Sequence, residues 1–304
     1  MKPSRAQELA VLRSVVYASL FDYPLTLEQL HRSLVGIRAD AGTIAGWWRS
    51  SELLQATVEH RDGWYFPAGR RDLLATRARR EDVSRSLLER DRSLLTFLCR
   101  IPFVRMVALS GSLAHLNAEG TADLDLFVIT APGRVWSVTV AVLVIARLLG
   151  WRRRLCLNYV ISERAMDVAP PDLFSANQII HLRPLAGQQV FERFVGANAF
   201  VRDFYPNFEV SPRPQAPKAS EPDKPSERVL SFAGAPVFER VSRALYGWYL
   251  RRGAARWQSR DQVRLEPECL KLHTRSHRAS TMRRFDAAMA EVLSCEPALA
   301  APPR

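Results

Sequence analysis

The stretch from Val104 to Thr130, VRMVALSGSLAHLNAEGTADLDLFVIT, most narrows what this chain can fold into. An apolar strand from Val104 to Leu109 runs into a Gly-Ser turn, a short helix and a polar loop. A second strand follows, in which aspartates alternate with apolar residues. Period two puts Asp123 and Asp125 on one face and Leu124, Leu126 and Val128 on the other. Two carboxylates two residues apart on a strand can share a divalent cation. Gly111 and Ser112 open the helix, which places backbone N–H groups and a hydroxyl where a phosphate would be received at its positive end. A phosphate cradle beside a hard-cation site suits a magnesium-nucleotide. An ordinary α/β core with a tight turn and two solvated aspartates carries the same local pattern.

The flanking sequence divides by its periodicity. Leu9, Leu12, Val16 and Leu20 recur at helical spacing over residues 4–20, and Pro24 ends that run. Thr26 and Gln29 form a capping box for a second helix to about Leu34. A third helix is predicted from Asp40 to Leu54, with Ile44, Trp47, Trp48 and Leu54 on one face. Ala56–His60 and Trp64–Pro67 flank Asp62-Gly63, a hairpin signal. From Gly69 to Arg100 the chain reads as a long helix. Its eight arginines and five acids between Arg70 and Arg92 resemble a solvated face with i,i+4 pairs. After the central strands come a helix at Val135–Leu149 and a strand at Leu155–Ser162. Helices are predicted over Pro170–Pro206, with Asn198, Arg202 and Arg193 as candidate pocket liners. Ser211–Glu227 holds five prolines and almost no large apolar side chain, which marks an extended linker. Val229–Leu293 reads as helical.

Charge favours an anionic partner: the net value is +12, and Phe238–Arg284 alone holds twelve Lys or Arg against four acids. Tyr246, Trp248, Tyr249 and Trp257 interleave with these bases. That mixture fits a surface for RNA or DNA, a basic helix on a membrane surface, or simply aromatics packed inward among solvated arginines. His273 and His277, four apart, would share a helix face but lack further ligands nearby. His115 follows Ser112 by three residues and is read as a partly buried helical histidine that can approach a phosphate group. Cys99, Cys156, Cys269 and Cys295 form no C-x-x-C pair, so neither a zinc site nor a disulfide framework is indicated. The N-terminus lacks a signal-peptide core. The most apolar run, Val135–Leu149, falls short of the ~20 residues that span a bilayer. No integral membrane segment and a cytoplasmic location are expected.

Gly111-Ser112, ten intervening residues and Asp123-Leu124-Asp125-Leu126 together resemble the motif of the DNA polymerase β-like nucleotidyltransferases. The resemblance runs from Val104 to Ser162. The three N-terminal helices closed by a hairpin likewise resemble a winged helix. The fold implied is α+β, in six parts: a winged-helix-like domain at 1–69, a connecting helix at 70–101, and a nucleotidyltransferase core at 102–167 with a small mixed sheet flanked by helices. A helical subdomain at 168–210, the Pro-rich linker at 211–227 and a basic helical region at 228–304 complete it.

The activity implied is two-metal transfer of a nucleoside monophosphate from an NTP such as ATP to an acceptor hydroxyl. Asp123 and Asp125 would hold Mg²⁺ or Mn²⁺, and Gly111 and Ser112 would bind the outer phosphates. In this superfamily a third carboxylate usually stands on the next strand, where it binds metal and helps deprotonate the acceptor. The matching position here is Asn158, a possible ligand through its carbonyl but no base. Glu163 and Asp167, just beyond that strand, would substitute if the chain folded back. The alternative is a catalytically silent core in a nucleic-acid-binding or regulatory protein, which would use the winged helix or the basic C-terminal region. The third winged-helix element offers only Arg49 as a strong base for DNA.

Overall fold

The computed structural model describes residues 2–210, 227, 235–274 and 276–294. The chain is α+β, and its N-terminal part is built from local signals. Helix α1 (Arg5–Ser19) starts at Ser4, whose side chain accepts from the Gln7 N–H while the Gln7 side chain accepts from the Ser4 N–H. Strand β1 (Leu25–Thr26) leads into α2 (Leu27–Arg32), which begins at the expected Thr26–Gln29 capping box. Asp40 caps α3 (Ala41–Ser50).

The single helix predicted from Asp40 to Leu54 is two helices. Ser51 takes extended backbone angles, and its hydroxyl accepts from the Leu54 N–H to start α4 (Glu52–Thr57). A serine that offers the backbone an alternative partner breaks a helix whose apolar period alone would have continued. Strands β2 (Val58–Arg61) and β3 (Trp64–Pro67) form the expected hairpin. Asp62 at φ 51° and Gly63 at φ 83° supply the two positive angles of a type I′ turn. With β1 they make a three-stranded antiparallel sheet in the order β1-β3-β2.

The segment predicted as one long helix divides into α5 (Asp72–Arg90) and α6 (Arg92–Arg100). Next come β4 (Val104–Leu109), α7 (Gly111–Ala114), β5 (Leu124–Thr130), α8 (Val135–Leu148) and β6 (Leu155–Ser162), in the order the sequence pattern requires. Beyond them lie α9 (Leu173–Ile180), β7 (Arg183–Ala186), α10 (Gln188–Ala197), α11 (Val201–Phe204), α12 (Ala235–Arg252), β8 (Val263–Glu266), β9 (Cys269–Leu272) and α13 (Arg278–Ser294).

Three of these strands correct the sequence reading. The part expected to be wholly helical at 168–210 contributes β7, and the basic region at 228–304 contributes β8 and β9. All three join the central sheet, whose order is β7-β4-β5-β6-β9-β8, with only β5 and β6 parallel. Each is four residues long, too short to show a period. Pro184 is accommodated because β7 is an edge strand.

Both faces of this sheet are covered, which explains why β5 is so apolar. Met106, Ala108, Phe127, Ile129 and Ile161 pack under the N-terminal helices, α9, α10 and α13. Val107, Leu109, Leu126, Val128 and Val160 pack under α6 and α8 on the other side. The alternation expected along β5 therefore holds, and Asp125 falls on the face shared with the N-terminal helices.

The Pro-rich linker lies outside the described residues except for Glu227. This residue is buried rather than part of a loose segment: its carboxylate accepts from both Arg105 guanidinium nitrogens, at 2.8 and 2.9 Å, and from the Phe103 N–H. The C-terminal region is also docked. The Glu239 carboxylate on α12 accepts from the Trp136 and Ser137 N–H groups, capping the N-terminus of α8. No described helix is long and apolar enough to cross a membrane. The described cysteines, Cys99, Cys156 and Cys269, are free thiols; Cys295 lies outside the described residues.

One glycine tests the packing of the sheet edge. Gly187 has φ +82°, and a Cβ there would lie 2.1 Å from the Arg105 carbonyl oxygen and 2.7 Å from the Met106 Cα. Backbone atoms of a central strand cannot swing aside. Gly187→Ala should therefore cost more than about 3 kcal/mol in urea denaturation. Gly150→Ala, at φ +71° with open space around it, should cost only about 1–2 kcal/mol. Equal losses would contradict this account.

Candidate functional site

The site forms where β5 begins. Asp123 stands just before the strand and is exposed, whereas Asp125 is half-buried. The β4–α7 turn is held onto β5 by the Ser110 N–H donating to the Asp125 carbonyl oxygen at 2.9 Å. Gly111 follows at φ +62°, and a Cβ on it would lie 2.6 Å from Asp125 Oδ2. Glycine is thus required twice over, for the backbone angle and for the approach.

Burial, with the neighbouring Asp123 charge, pushes the Asp125 carboxyl above its ordinary value, and a hydrogen bond with Cys156 offsets part of this. Although the chain carries a net charge of +12, neither aspartate is ion-paired with a described Lys or Arg. The register pairs Asp125 with Cys156 on β6, and a shift beyond that pair brings Asn158 alongside. Asn158 Nδ2 donates to Asp125 Oδ1 at 3.4 Å. The Cys156 thiol, pushed up to about 11 first by burial and then by Asp125, stays protonated at neutral pH.

The sequence reading is corrected at several positions. Helix α7 has only four residues, too short for an appreciable dipole, so the expected cradle reduces to the turn itself and the Ser112 hydroxyl. Glu163 cannot replace Asn158. Its N–H bonds to the Thr130 carbonyl at the far end of β5, and its carboxylate pairs with Arg105 and Arg193. Asp167 lies beyond it and is exposed. Asn198 is an internal brace, with its amide bonded to the Val168 N–H and to the Met166 and Phe194 carbonyls.

His273 follows β9 and His277 precedes α13, so they share no helix face. The four aromatics of the basic region do not form one surface. Tyr246 turns inward against Trp136 and Trp257 is half-buried, while Trp248 and Tyr249 are exposed. On α3, Trp47 is buried and Trp48 Nε1 donates to the Val58 carbonyl, which leaves Arg49 as the exposed base of that helix.

Residues that sequence reasoning missed support the loop between Ser112 and Asp123. Arg77, one of the arginines assigned to a solvated face, is 4% exposed. Its guanidinium lies 4.0 Å over the Tyr23 ring and donates to the His115 and Leu116 carbonyls. Three further bonds hold the same loop: Tyr23 Oη donates to the His115 carbonyl, the Ala118 N–H donates to Ser84 Oγ, and Arg80 pairs with Glu119 at 2.9 Å. Helix α5 is therefore a clamp on the site, and nothing in its run of arginines distinguishes Arg77 from its neighbours. Arg183, opposite Leu109 in the sheet register, has a buried Nε without a partner.

A cavity of about 160 Å³ adjoins the turn on the N-terminal side. Gly111, Ser112 and His115 form one wall, with α1 and α9 opposite. The His115 and His181 rings lie 4.2 Å apart. Burial holds both imidazoles down, His181 to about 4, so both are neutral at pH 7. His181 Nδ1 lies 2.8 Å from the Asn177 carbonyl oxygen, which assigns the proton of the neutral ring to that nitrogen.

Among the described residues no group of three or more His, Cys, Asp or Glu is placed to hold a metal ion. Two carboxylates and an amide fit Mg²⁺, which keeps several waters and commonly takes its remaining ligands from substrate phosphates. They do not fit a metal held by protein alone. Comparison with family models, with curated proteins and with solved structures finds no match to this chain.

The buried imidazoles set a pH dependence of stability. His115, His181 and His273 are neutral when folded, while an unfolded histidine binds a proton below about pH 6.5. The unfolded state then holds more protons, so stability is fully present above pH 6.5 and declines as pH falls toward 4. A shift from 6.5 to about 4 corresponds to at most ~3 kcal/mol for one histidine. His181→Gln should flatten the dependence of melting temperature on pH between 6.5 and 4. An unchanged slope would exclude this burial as its source.

Proposed function

We propose that the protein is a metal-dependent nucleotidyltransferase of the DNA polymerase β-like type, transferring a nucleoside monophosphate from an NTP to an acceptor hydroxyl. The observation that carries this reading is the Asp123–Asp125 pair: two residues apart on one face, Asp125 half-buried, neither ion-paired with a described Lys or Arg in a basic protein, beside a glycine whose bare Cα lets the turn close on Asp125. Like charges held together in this way are stabilised by a bound cation. The strand-helix-strand-helix-strand succession from Val104 to Ser162 and the parallel β5–β6 pair support the same family. The N-terminal helices with their three-stranded sheet support a winged-helix-like part.

Mg²⁺ or Mn²⁺, when bound, would neutralise phosphate charge and make the α-phosphorus more electrophilic. Asp123 and Asp125 would hold it. Asn158 would reach the same place through its carbonyl oxygen after an amide flip. The turn and the Ser112 hydroxyl would receive the outer phosphates. The acceptor oxygen forms the new bond to the α-phosphorus as the bond to pyrophosphate breaks. Asn158 cannot take the acceptor proton. The two imidazoles are the groups on the cavity wall that can accept a proton at neutral pH.

A second reading, a silent core in a nucleic-acid-binding or regulatory protein, is favoured by one observation. The Asn158 amide already satisfies Asp125 as a donor, an arrangement that stabilises a metal-free carboxylate.

Purified protein incubated with labelled ATP, CTP, GTP and UTP and Mg²⁺ or Mn²⁺ should transfer label to a hydroxyl acceptor from cell extract. Asp125→Asn should lower this at least 100-fold and abolish metal-dependent nucleotide binding in calorimetry. Its melting temperature should hold or rise, because the substitution removes a like-charge contact. Unchanged transfer by the variant would overturn the assignment. Metal-dependent nucleotide binding without transfer by the intact protein would establish the second reading.

A further inference from the structure

We infer that the cavity beside Gly111 and Ser112 binds an uncharged, hydroxyl-bearing aromatic molecule of about one ring. Size sets the first limit. An apolar cavity of about 150 Å³ accommodates benzene, and this one measures about 160 Å³. Nucleic acid and extended peptide are excluded from it by volume.

Charge sets the second limit. No Lys, Arg, Asp or Glu lines the cavity. A cationic or anionic ligand would leave water without a countercharge, a cost of several kcal/mol. Polyamine-like and carboxylate acceptors are thereby excluded.

Shape and polarity define what remains. Tyr17, Phe21, Tyr23, Tyr205 and the two imidazoles present ring faces and edges suited to another ring. Tyr17 is 3% exposed, yet its hydroxyl has no hydrogen-bond partner. Asn117 Oδ1 on the loop wall is likewise buried and unpartnered. Tyr205 accepts from Asn177 Nδ2 at 3.0 Å, which leaves the Tyr205 proton available to a ligand. The Tyr17 hydroxyl has a bond to donate and Asn117 Oδ1 has one to accept, so a ligand hydroxyl can meet either. An unmet donor and an unmet acceptor on an uncharged, mostly apolar wall are the features by which small-molecule sites fix orientation.

The position gives this ligand a role. Gly111 is both a wall of the cavity and the neighbour of Asp125. The bound hydroxyl is then the acceptor of transfer: its oxygen bonds to the α-phosphorus, the bond to the pyrophosphate oxygen breaks with its electron pair, and the hydroxyl proton passes to the neutral His115 imidazole. That role rests on the transferase reading, whereas binding in the cavity does not.

The test uses the full chain, with calorimetry and thermal shift as readouts and phenol, benzyl alcohol, benzene, benzylammonium and benzoate as probes. Phenol and benzyl alcohol should bind saturably and raise the melting temperature, with both charged probes at least tenfold weaker. Tyr17→Phe, which keeps the ring, should weaken phenol at least fivefold and leave benzene unchanged. Ala18→Phe should fill the cavity and remove binding of both. Three results would each overturn the inference: no saturable binding of phenol or benzene to the intact protein, phenol binding indifferent to both variants, or benzylammonium binding as tightly as benzyl alcohol. Asp125→Asn should leave phenol binding intact, which separates this site from the metal site. Phenol that binds but is never labelled by any NTP removes the acceptor role and upholds the ligand class.

Discussion

The close approach of Gly111 to the Asp125 carboxylate is the contact on which the site depends. Strand β4 ends at Leu109, and the chain must turn within two residues to clear β5. The Ser110 N–H, bonded to the Asp125 carbonyl, fixes the near side of that turn, and a positive φ at Gly111 completes it. Any side chain at 111 would occupy the space of Asp125 Oδ2. Oδ2 therefore faces a backbone surface, while Oδ1 accepts from the Asn158 side chain. That geometry leaves the carboxylate accessible to a small cation and a phosphate while still half out of water. The cost is a raised proton affinity at Asp125, which a divalent cation would reverse.

That turn is steadied from a distance. Arg77 lies under the loop, against Tyr23 and the His115 and Leu116 carbonyls, so the N-terminal part, α5 and the loop meet at one guanidinium. Arginine suits this position because its planar fork can satisfy two carbonyls while its face stacks on a ring. The packing is consistent with this arrangement: the N-terminal helices share one continuous core with a face of the central sheet. A module buried to that extent forms a wall of the cavity more readily than it reads DNA. The single exposed strong base of α3 points the same way.

What the sequence made legible was local. The capping box at Thr26, the Asp62-Gly63 hairpin and the alternation from Asp123 to Val128 each depend on residues within about one turn or strand of one another, and each is found where its pattern lies. The misses are non-local. β7, β8 and β9 become strands because β4 and β6 offer open edges, a condition four residues cannot announce. Arg77 is buried because Tyr23 and His115 reach it from distant positions. Ser51 shows the reverse: a local cap overrode an apolar period that ran on past it. The Asn158 position came from the family resemblance, and the register shift between β5 and β6 brings it beside Asp125. The distance of Glu163 from the site was not legible, since it depends on the direction in which the chain leaves β6.

The distribution of charge gives the remaining argument. In a protein with an excess of +12, arginines pair with several buried or half-buried carboxylates: Glu227, Glu163, Asp91, Asp172. Asp123 and Asp125 are passed over, and the adjoining cavity is lined without any formal charge at all. These are two kinds of electrostatic vacancy side by side. On the proposed reading, one takes a cation and the anion that travels with it, and the other a neutral molecule. A site that served nucleic acid alone would need bases lining both, since phosphate contacts supply most of such affinity. A negative pocket sharing a glycine wall with a neutral one is instead what the proposed transfer, from a charged donor to an uncharged acceptor, would require.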